Sequence, residues 1–312
     1  MGRYRLGDII GLTRKSLSIT QEQLSEDICS VETLSRIESG RQNPSRDVYE
    51  LLMERMGRIR DRAYSILSIS DFLMLEKFYK FEKSIHDFEY QRAEYILEDI
   101  IPKLGGTNID RQFIIRAESL VKYRLKQINT EEFLNELYKA IRITIPRYGY
   151  ISLSKWPLTY NEATLLLNIS TAYSENNDYQ KGVGLLEELY SALKQSYMEE
   201  DQRIKMQITV TSNLSKWYGL NGDHQRAIDT ASDGIELCRR FKIGHILPTL
   251  LYNYVWNKEK QIEKGVISPE NKRECISVLK QAYYIASAME MSYIEQFIKS
   301  HMIMYYDIGK NL

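Results

Sequence analysis

Apolar residues recur along most of the chain at intervals of three and four, the spacing that gathers them on one face of an α-helix. Leu6, Ile9, Ile10, Thr13 and Leu17 predict a first helix over 6–17. Thr20, with Gln23 three residues on, reads as a capping box opening a short second helix, Gln21 to Ile28. Ser30 caps a third, Val31 to Glu38, which Gly40 stops from the C′ position. Pro44 and Ser45 open a fourth, with Val48, Leu51, Leu52 and Met56 on its apolar face and Gly57 at its end. Helical periodicity resumes from about Asp71, with no flexible linker evident after Arg62. Gly (16) and Pro (6) are scarce among 312 residues, which favours an all-α protein of two or more domains.

The later part of the chain repeats itself. The stretch from Asn168 to Val183 aligns without gaps on Asn213 to Ile228, bringing Ser170 onto Ser215, Tyr173 onto Tyr218 and Asp178 onto Asp223. Weaker copies place Ala93, Phe133, Gly182, Ala227 and Cys275 at one position, where a small residue lets two helices cross closely. This pattern resembles the tetratricopeptide repeat. The copies here are 40 to 49 residues apart, against about 34 in that family. Longer helices or loops are expected, and Lys258 to Pro269 reads as one insertion between paired helices.

Charge changes the picture little. Lys plus Arg equals Asp plus Glu at 42 each, and residues 1–62 carry 11 basic and 10 acidic side chains. Any affinity for nucleic acid must come from local pattern. Cys29, Cys238 and Cys275 lie far apart, which fits a reducing cytoplasm and no disulfide framework. No apolar stretch is long enough for a membrane span, so a soluble, unsecreted protein is expected. His86, His224, His245 and His301 are scattered, and no phosphate-binding glycine loop, G-x-S-x-G, H-E-x-x-H or C-x-x-C occurs. The sequence therefore predicts neither an enzyme nor a metal or other cofactor.

The first sixty residues carry the most specific chemistry. Two short helices joined by a tight turn suit insertion of the second into the major groove of DNA, where its N-terminal residues reach base edges. Those residues are Val31, Glu32, Ser35 and Arg36, with Gln21, Arg41 and Asn43 placed to grip phosphates. Arg36 suits guanine, Glu32 cytosine and Val31 a thymine methyl. Glu32 and Arg36 could equally pair with each other at i,i+4.

The runs Thr20–Ser25, Ser30–Gly40 and Asn43–Ser45 resemble the Xre group of lambda-repressor-like domains over residues 5 to 58. The resemblance implies that Gln21 lies by the DNA backbone and that Arg14 and Glu38 form a partly buried ion pair. The chain departs from the pattern at Cys29, where an aliphatic residue is usual, and at Asp27-Ile28, where a glycine often sits.

Asn168, Asn213 and Asn253 share one position in three consecutive repeats. In tetratricopeptide domains such an Asn often bonds the backbone of an extended peptide, and an amide can donate and accept at once. Lys216, Trp217 and Trp256 lie near enough in sequence to add charge and ring contacts. The alternative is that the three amides tie neighbouring helices together. The expected architecture is an N-terminal lambda-repressor-like helix-turn-helix bundle at 1–62 and a tetratricopeptide-like α-solenoid at 70–312. It resembles the Rgg/PlcR/PrgX/NprR group of peptide-sensing regulators. That resemblance implies a homodimeric, cytoplasmic transcription regulator, reading a palindromic operator on double-stranded DNA and sensing a short signalling peptide in quorum sensing. The alternative is a helix-turn-helix regulator whose repeats bind a protein partner with no peptide signal.

Overall fold

The computed structural model describes residues 6–56, 72–104, 108–146, 148–150, 153, 158–194, 198 and 200–308. The expected helix end at Gly57 and the boundary between 62 and 70 lie outside these residues. The regular structure described is helical: α1 (Leu6–Ser16), α2 (Gln21–Ser25), α3 (Val31–Glu38), α4 (Arg46–Arg55), α5 (Phe72–His86), α6 (Tyr90–Ile100), α7 (Asn108–Arg124), α8 (Thr130–Thr144), α9 (Tyr160–Glu175), α10 (Tyr179–Lys194), α11 (Glu200–Leu220), α12 (His224–Phe241), α13 (Leu247–Glu263), α14 (Lys272–Ala288) and α15 (Ser292–Tyr306). Among the described residues no helix is long and apolar enough to cross a membrane. By contacts the chain divides into two compact units. One comprises Met1–Asn176 with Ser191–Arg203, the other Asn177–Tyr190 with Ile204–Leu312.

Local chemistry sets the first four helices. Thr20 accepts from the Gln23 N–H while the Gln23 side chain accepts from the Thr20 N–H, so two donors that a helix start leaves unpaired are satisfied together. Ser30 and Ser45 cap α3 and α4 in the same way, through the N–H groups of Thr33 and Val48. Gly40 adopts a left-handed φ of 70°, and the Arg41 N–H reaches back to the Arg36 carbonyl, closing a Schellman turn. The second helix is shorter than the sequence suggested. It ends at Ser25 because Asp27 turns left-handed, with φ 57°.

Ile10, Ile19, Leu24, Leu34, Ile37, Leu52 and Met56 then close one small core. Within it α1 and α3 approach very closely: a Cβ on Gly7 would stand 1.8 Å from the Ile37 carbonyl oxygen. Beside that contact the Arg14 guanidinium grips Glu38 with two parallel hydrogen bonds, Nε to Oε1 at 2.6 Å and Nη2 to Oε2 at 2.9 Å. Its third arm donates to the Ile19 carbonyl at 2.8 Å, and the Gln21 amide donates to Glu38 Oε2 at 2.9 Å. Burial resists ionisation of Glu38, but the hydrogen bonds from Arg14 and then Gln21 outweigh it and hold the carboxyl below its ordinary range.

In the first unit, Phe78, Phe81, Ala93, Leu97, Ile100, Phe113, Ala117 and Val121 make a second core from α5, α6 and α7. In the second unit, Ile204, Ile208, Ile235, Leu250, Leu251, Val255, Cys275, Leu279, Ala282, Ile298 and Met302 join α11 to α15. Ala93, Ala227 and Cys275 are fully buried, as the small-residue position requires. Left-handed residues Phe88, Asn177 and Gly222 lie five positions before Ala93, Gly182 and Ala227, so the same turn starts three second helices. The long period comes mainly from the helices, with α11 reaching 21 residues and α12 18. The expected insertion from Lys258 is largely helix too: α13 runs to Glu263, and only a short loop and a 3-10 turn, Pro269–Asn271, follow.

Gly7→Ala should cost about 1–3 kcal/mol, because α1 must move off α3 to admit the methyl group. Gly184→Ala, where nothing lies within 4 Å of the added Cβ, should instead gain about 0.4–1 kcal/mol. Thermal melts of the two variants check the contrast. Glu38→Ala should cost about 3 kcal/mol by leaving Arg14 without its carboxylate. Because folding lowers the Glu38 pKa, its stabilisation is present above the unfolded value of about 4.3 and fades as pH falls through the lower folded value. Melting curves of wild type and Glu38→Ala should therefore draw together as pH falls below about 4.3.

Candidate functional site: the recognition helix and the repeat asparagines

The capped start of α3 turns Leu34 and Ile37 into the core and leaves Glu32, Ser35 and Arg36 exposed on the other side. Val31 is half-buried beside them, and Arg41 and Asn43 are exposed in the segment that follows. These six of the seven sequence-selected residues thus stand on or just after one short helix. Its base is fixed by the Gly7 contact and the Glu38 hydrogen bonds. Glu32 has its carboxyl lowered first by its own backbone N–H, then by the Ser30 hydroxyl, with Arg36 a lesser influence. The carboxylate is therefore engaged chiefly at the helix start.

Gln21, the seventh residue, is half-buried, and its amide nitrogen is committed to Glu38. One N–H of that amide and its carbonyl end remain for other contacts, which suits a bracing role as well as proximity to a phosphate. Arg14 and Glu38 themselves stand at 11% and 10% side-chain exposure, so they act beneath the exposed face.

The repeat residues are used differently from one another. Asn168 lies in the first unit, and Asn213, Lys216, Trp217, Asn253 and Trp256 in the second. The Asn213 amide donates to Thr209, one turn back on its own helix, at 2.9 Å. Asn253 is buried and donates to the Ser212 carbonyl at 3.0 Å, tying α13 to α11. Asn168 differs from both: its Oδ1 is buried with no hydrogen-bond partner. Trp217 is buried near the Tyr179 ring, and its indole N–H also has no partner. Lys216 lays its ammonium 4.3 Å from the Trp217 ring centre, while half-buried Trp256 meets His224 edge-on and Lys260 over its face.

Sequence reasoning passed over Asn161. It is 5% exposed, and neither its amide nitrogen nor its oxygen has a partner. It lies seven residues before Asn168, hence on the same face of α9 and about 10 Å along the axis. That i,i+7 pair of asparagines in a helix otherwise rich in leucine was the available signal. A buried amide with both ends unpaired is costly, and its complement is another amide, which offers a donor and an acceptor side by side.

The buried polar groups between α13 and α15 are matched to one another. Glu259 accepts from Tyr306 at 2.6 Å and faces His301 Nε2 at 2.9 Å, with Tyr305 stacked on the imidazole at 4.3 Å. This cluster fastens α15 to α13. Among the described residues no group of His, Cys, Asp or Glu is arranged to hold a metal ion. Burial pushes the Cys238 and Cys275 thiols up to about 11, which makes both unreactive near neutral pH.

Residues 10–59 match the Helix-turn-helix family. No curated protein matches the chain by sequence. Among solved structures, it resembles Bacillus thuringiensis PlcR in complex with the peptide PapR7 and DNA, at 21% identity over 95% of this chain and 99% of that one, with a TM-score of 0.63. It also resembles ComR from S. thermophilus in complex with DNA and its signalling peptide ComS, at 16% identity over 96% and 99%, TM-score 0.56. A third likeness is to the apo form of RapI, at 14% identity over 77% and 79%, TM-score 0.52. The chain is thus an all-α protein in which an N-terminal helix-turn-helix is followed by tetratricopeptide-like helical repeats, and its fold resembles that of PlcR and ComR along nearly its whole length.

Proposed function

We propose that the chain is a transcription regulator that binds DNA through α3 and whose repeats bind a short peptide that controls that binding. The observation that carries the DNA reading is the braced recognition helix: Glu32, Ser35 and Arg36 are exposed on a helix whose far side is locked by Arg14, Gln21 and Glu38. A rigid helix with a polar exposed edge fits the major groove, where Arg36 suits guanine and Val31 a thymine methyl. Arg41 and Asn43 suit the flanking phosphates.

Support for the peptide reading comes from α9. Asn161 and Asn168 hold buried, unpaired amide atoms on one face of a helix, and an extended peptide offers amides at comparable intervals. The known structures it resembles in fold include complexes with peptide and DNA. Asn213 and Asn253 fit less simply, since their amides already serve helices. Lys216, Trp217 and Trp256 remain candidates as the charged and ring contacts of the same ligand. The operator is expected to be two-fold related and the protein a homodimer acting in the cytoplasm. The solvent-facing Phe297 and Met304 of α15, 45% and 78% exposed, are the kind of apolar surface a second chain covers.

Gel shifts on the gene's own upstream DNA, with and without peptides encoded beside the gene, test the reading directly. Binding should weaken steeply with salt. Arg36→Ala should lose discrimination at one base pair, by about 1–3 kcal/mol. Wild-type affinity for both matched and mismatched DNA would remove Arg36 from the base-reading set.

The asparagines should separate by calorimetry and melting. Asn253→Ala should lower the melting temperature, since it removes the tie to Ser212. Asn161→Leu should leave it unchanged or raised, because an unpaired buried amide is replaced by an apolar side chain of similar size, and should abolish the peptide response. A fall in melting temperature for Asn161→Leu, with the response intact, would make Asn161 a structural residue.

A further inference from the structure

The fourth helix has two apolar faces. Val48, Leu52 and Met56 enter the core of the helix-turn-helix, while Leu51 packs against the core of α5 to α7. Arg55, one turn after Leu51, continues that second face and is 1% exposed. Its Nη2 lies 3.5 Å from Glu162 Oε1, across 107 residues of sequence, and the Glu162 side chain is also 1% exposed. Its Nη1 donates to the Glu26 carbonyl at 3.2 Å, in the turn that leads into α3.

Glu162 is itself doubly engaged. Its Oε2 accepts from the Thr159 N–H at 2.8 Å, completing the capping box that starts α9. One buried guanidinium therefore touches both the α2–α3 turn and the first turn of a repeat helix. The residue before Glu162 is Asn161, whose amide is buried with both ends unpaired.

We propose that Arg55 is the positioning residue through which α9 sets the placement of the helix-turn-helix, so that a ligand reorganising the first turn of α9 acts on the DNA-reading helix through Glu162 and Arg55. The fork of an arginine suits this task, because it can hold a carboxylate and a carbonyl at fixed angles, which an ammonium cannot. A hydrophobic contact such as Leu51 provides adhesion without angular preference. The buried charge pair adds orientation, the best-attested use of such pairs. The role in signalling rests on the regulatory reading above. The latch does not, and a failed gel shift would remove DNA reading while leaving the latch measurable.

The test uses the full chain with Cys29→Val, spin labels at Lys15→Cys on α1 and Glu131→Cys on α8, and pulsed dipolar distance measurement beside melting curves. Both labelled positions are exposed. The parent should give one narrow distance distribution. Arg55→Met and Glu162→Gln alone should each lower the melting temperature, because each removes one member of a buried charge pair. Together they should recover most of that loss, since replacing both members of a buried pair is often neutral, yet the distribution should broaden several-fold. Gln at 162 keeps the cap on α9, so broadening cannot be assigned to a frayed helix. Arg55→Lys retains the charge and guards against a variant that does not fold; it should melt near the parent and still show a widened distribution. A narrow, parental distribution in both the double variant and Arg55→Lys would overturn the proposal and reduce the pair to a structural contact.

Discussion

Glu38 receives hydrogen bonds from two other helical segments at once, and the DNA-facing end of the molecule depends on it. Arg14 comes from α1 and Gln21 from the start of α2, while Glu38 ends α3. Three helices of five to eleven residues have little stability of their own. Their shared core is small, and apolar packing alone fixes separations better than angles. A carboxylate held by a two-pronged guanidinium and an amide fixes direction as well. The exposed edge of α3 inherits that rigidity: Ser35 and Arg36 precede Glu38 by three and two positions, so any slip of Glu38 would displace the residues proposed to read DNA.

The parts of this arrangement written in neighbouring residues were legible. Thr20 with Gln23, Ser30, Gly40 and Ser45 each act within a few positions, so the helix starts and the left-handed stop followed from residue type alone. The Arg14 and Glu38 pairing followed from a family pattern. Gly7 was not legible. A glycine inside a helix reads as a weakness, and its use appears only when the Ile37 carbonyl, thirty positions away in sequence, is seen to occupy the space of a side chain. Arg55 and Glu162 were hidden for the same reason, since no local signal marks a contact across 107 residues.

The repeat asparagines show a different limit. Asn168, Asn213 and Asn253 share one position by alignment, and a shared position suggested a shared role. The structure gives them three surroundings: an unpaired oxygen, a bond to the preceding turn, and a tie to a neighbouring helix. Alignment fixes which face a residue lies on. It does not fix how closely the next helix approaches, and that distance decides whether an amide finds a carbonyl. Variation of helix length among the helices that carry them, 16 residues in α9, 21 in α11 and 17 in α13, changes that approach from repeat to repeat.

The cost of the polar groups in α9 bears on what the helix is for. Asn161 and Asn168 bury amide atoms with no partner, and Glu162 buries a charge opposite Arg55. Apolar residues at positions 161 and 168 would make a more stable helix, since an unpaired buried polar group costs about 1–3 kcal/mol. Stability therefore does not account for them. The binding face proposed for α9 would account for them, because an amide left unpaired in the free protein can pair with a ligand. A buried charge pair next to that face has a related logic. It tolerates few geometries, so a small change in the helix that carries Glu162 is felt as a large change at Arg55, whereas an apolar contact would absorb it. The unpaired amides that lower the stability of α9 would then make it responsive, and Asn161, in its first turn, lies next to Glu162 and its contact with Arg55 of α4.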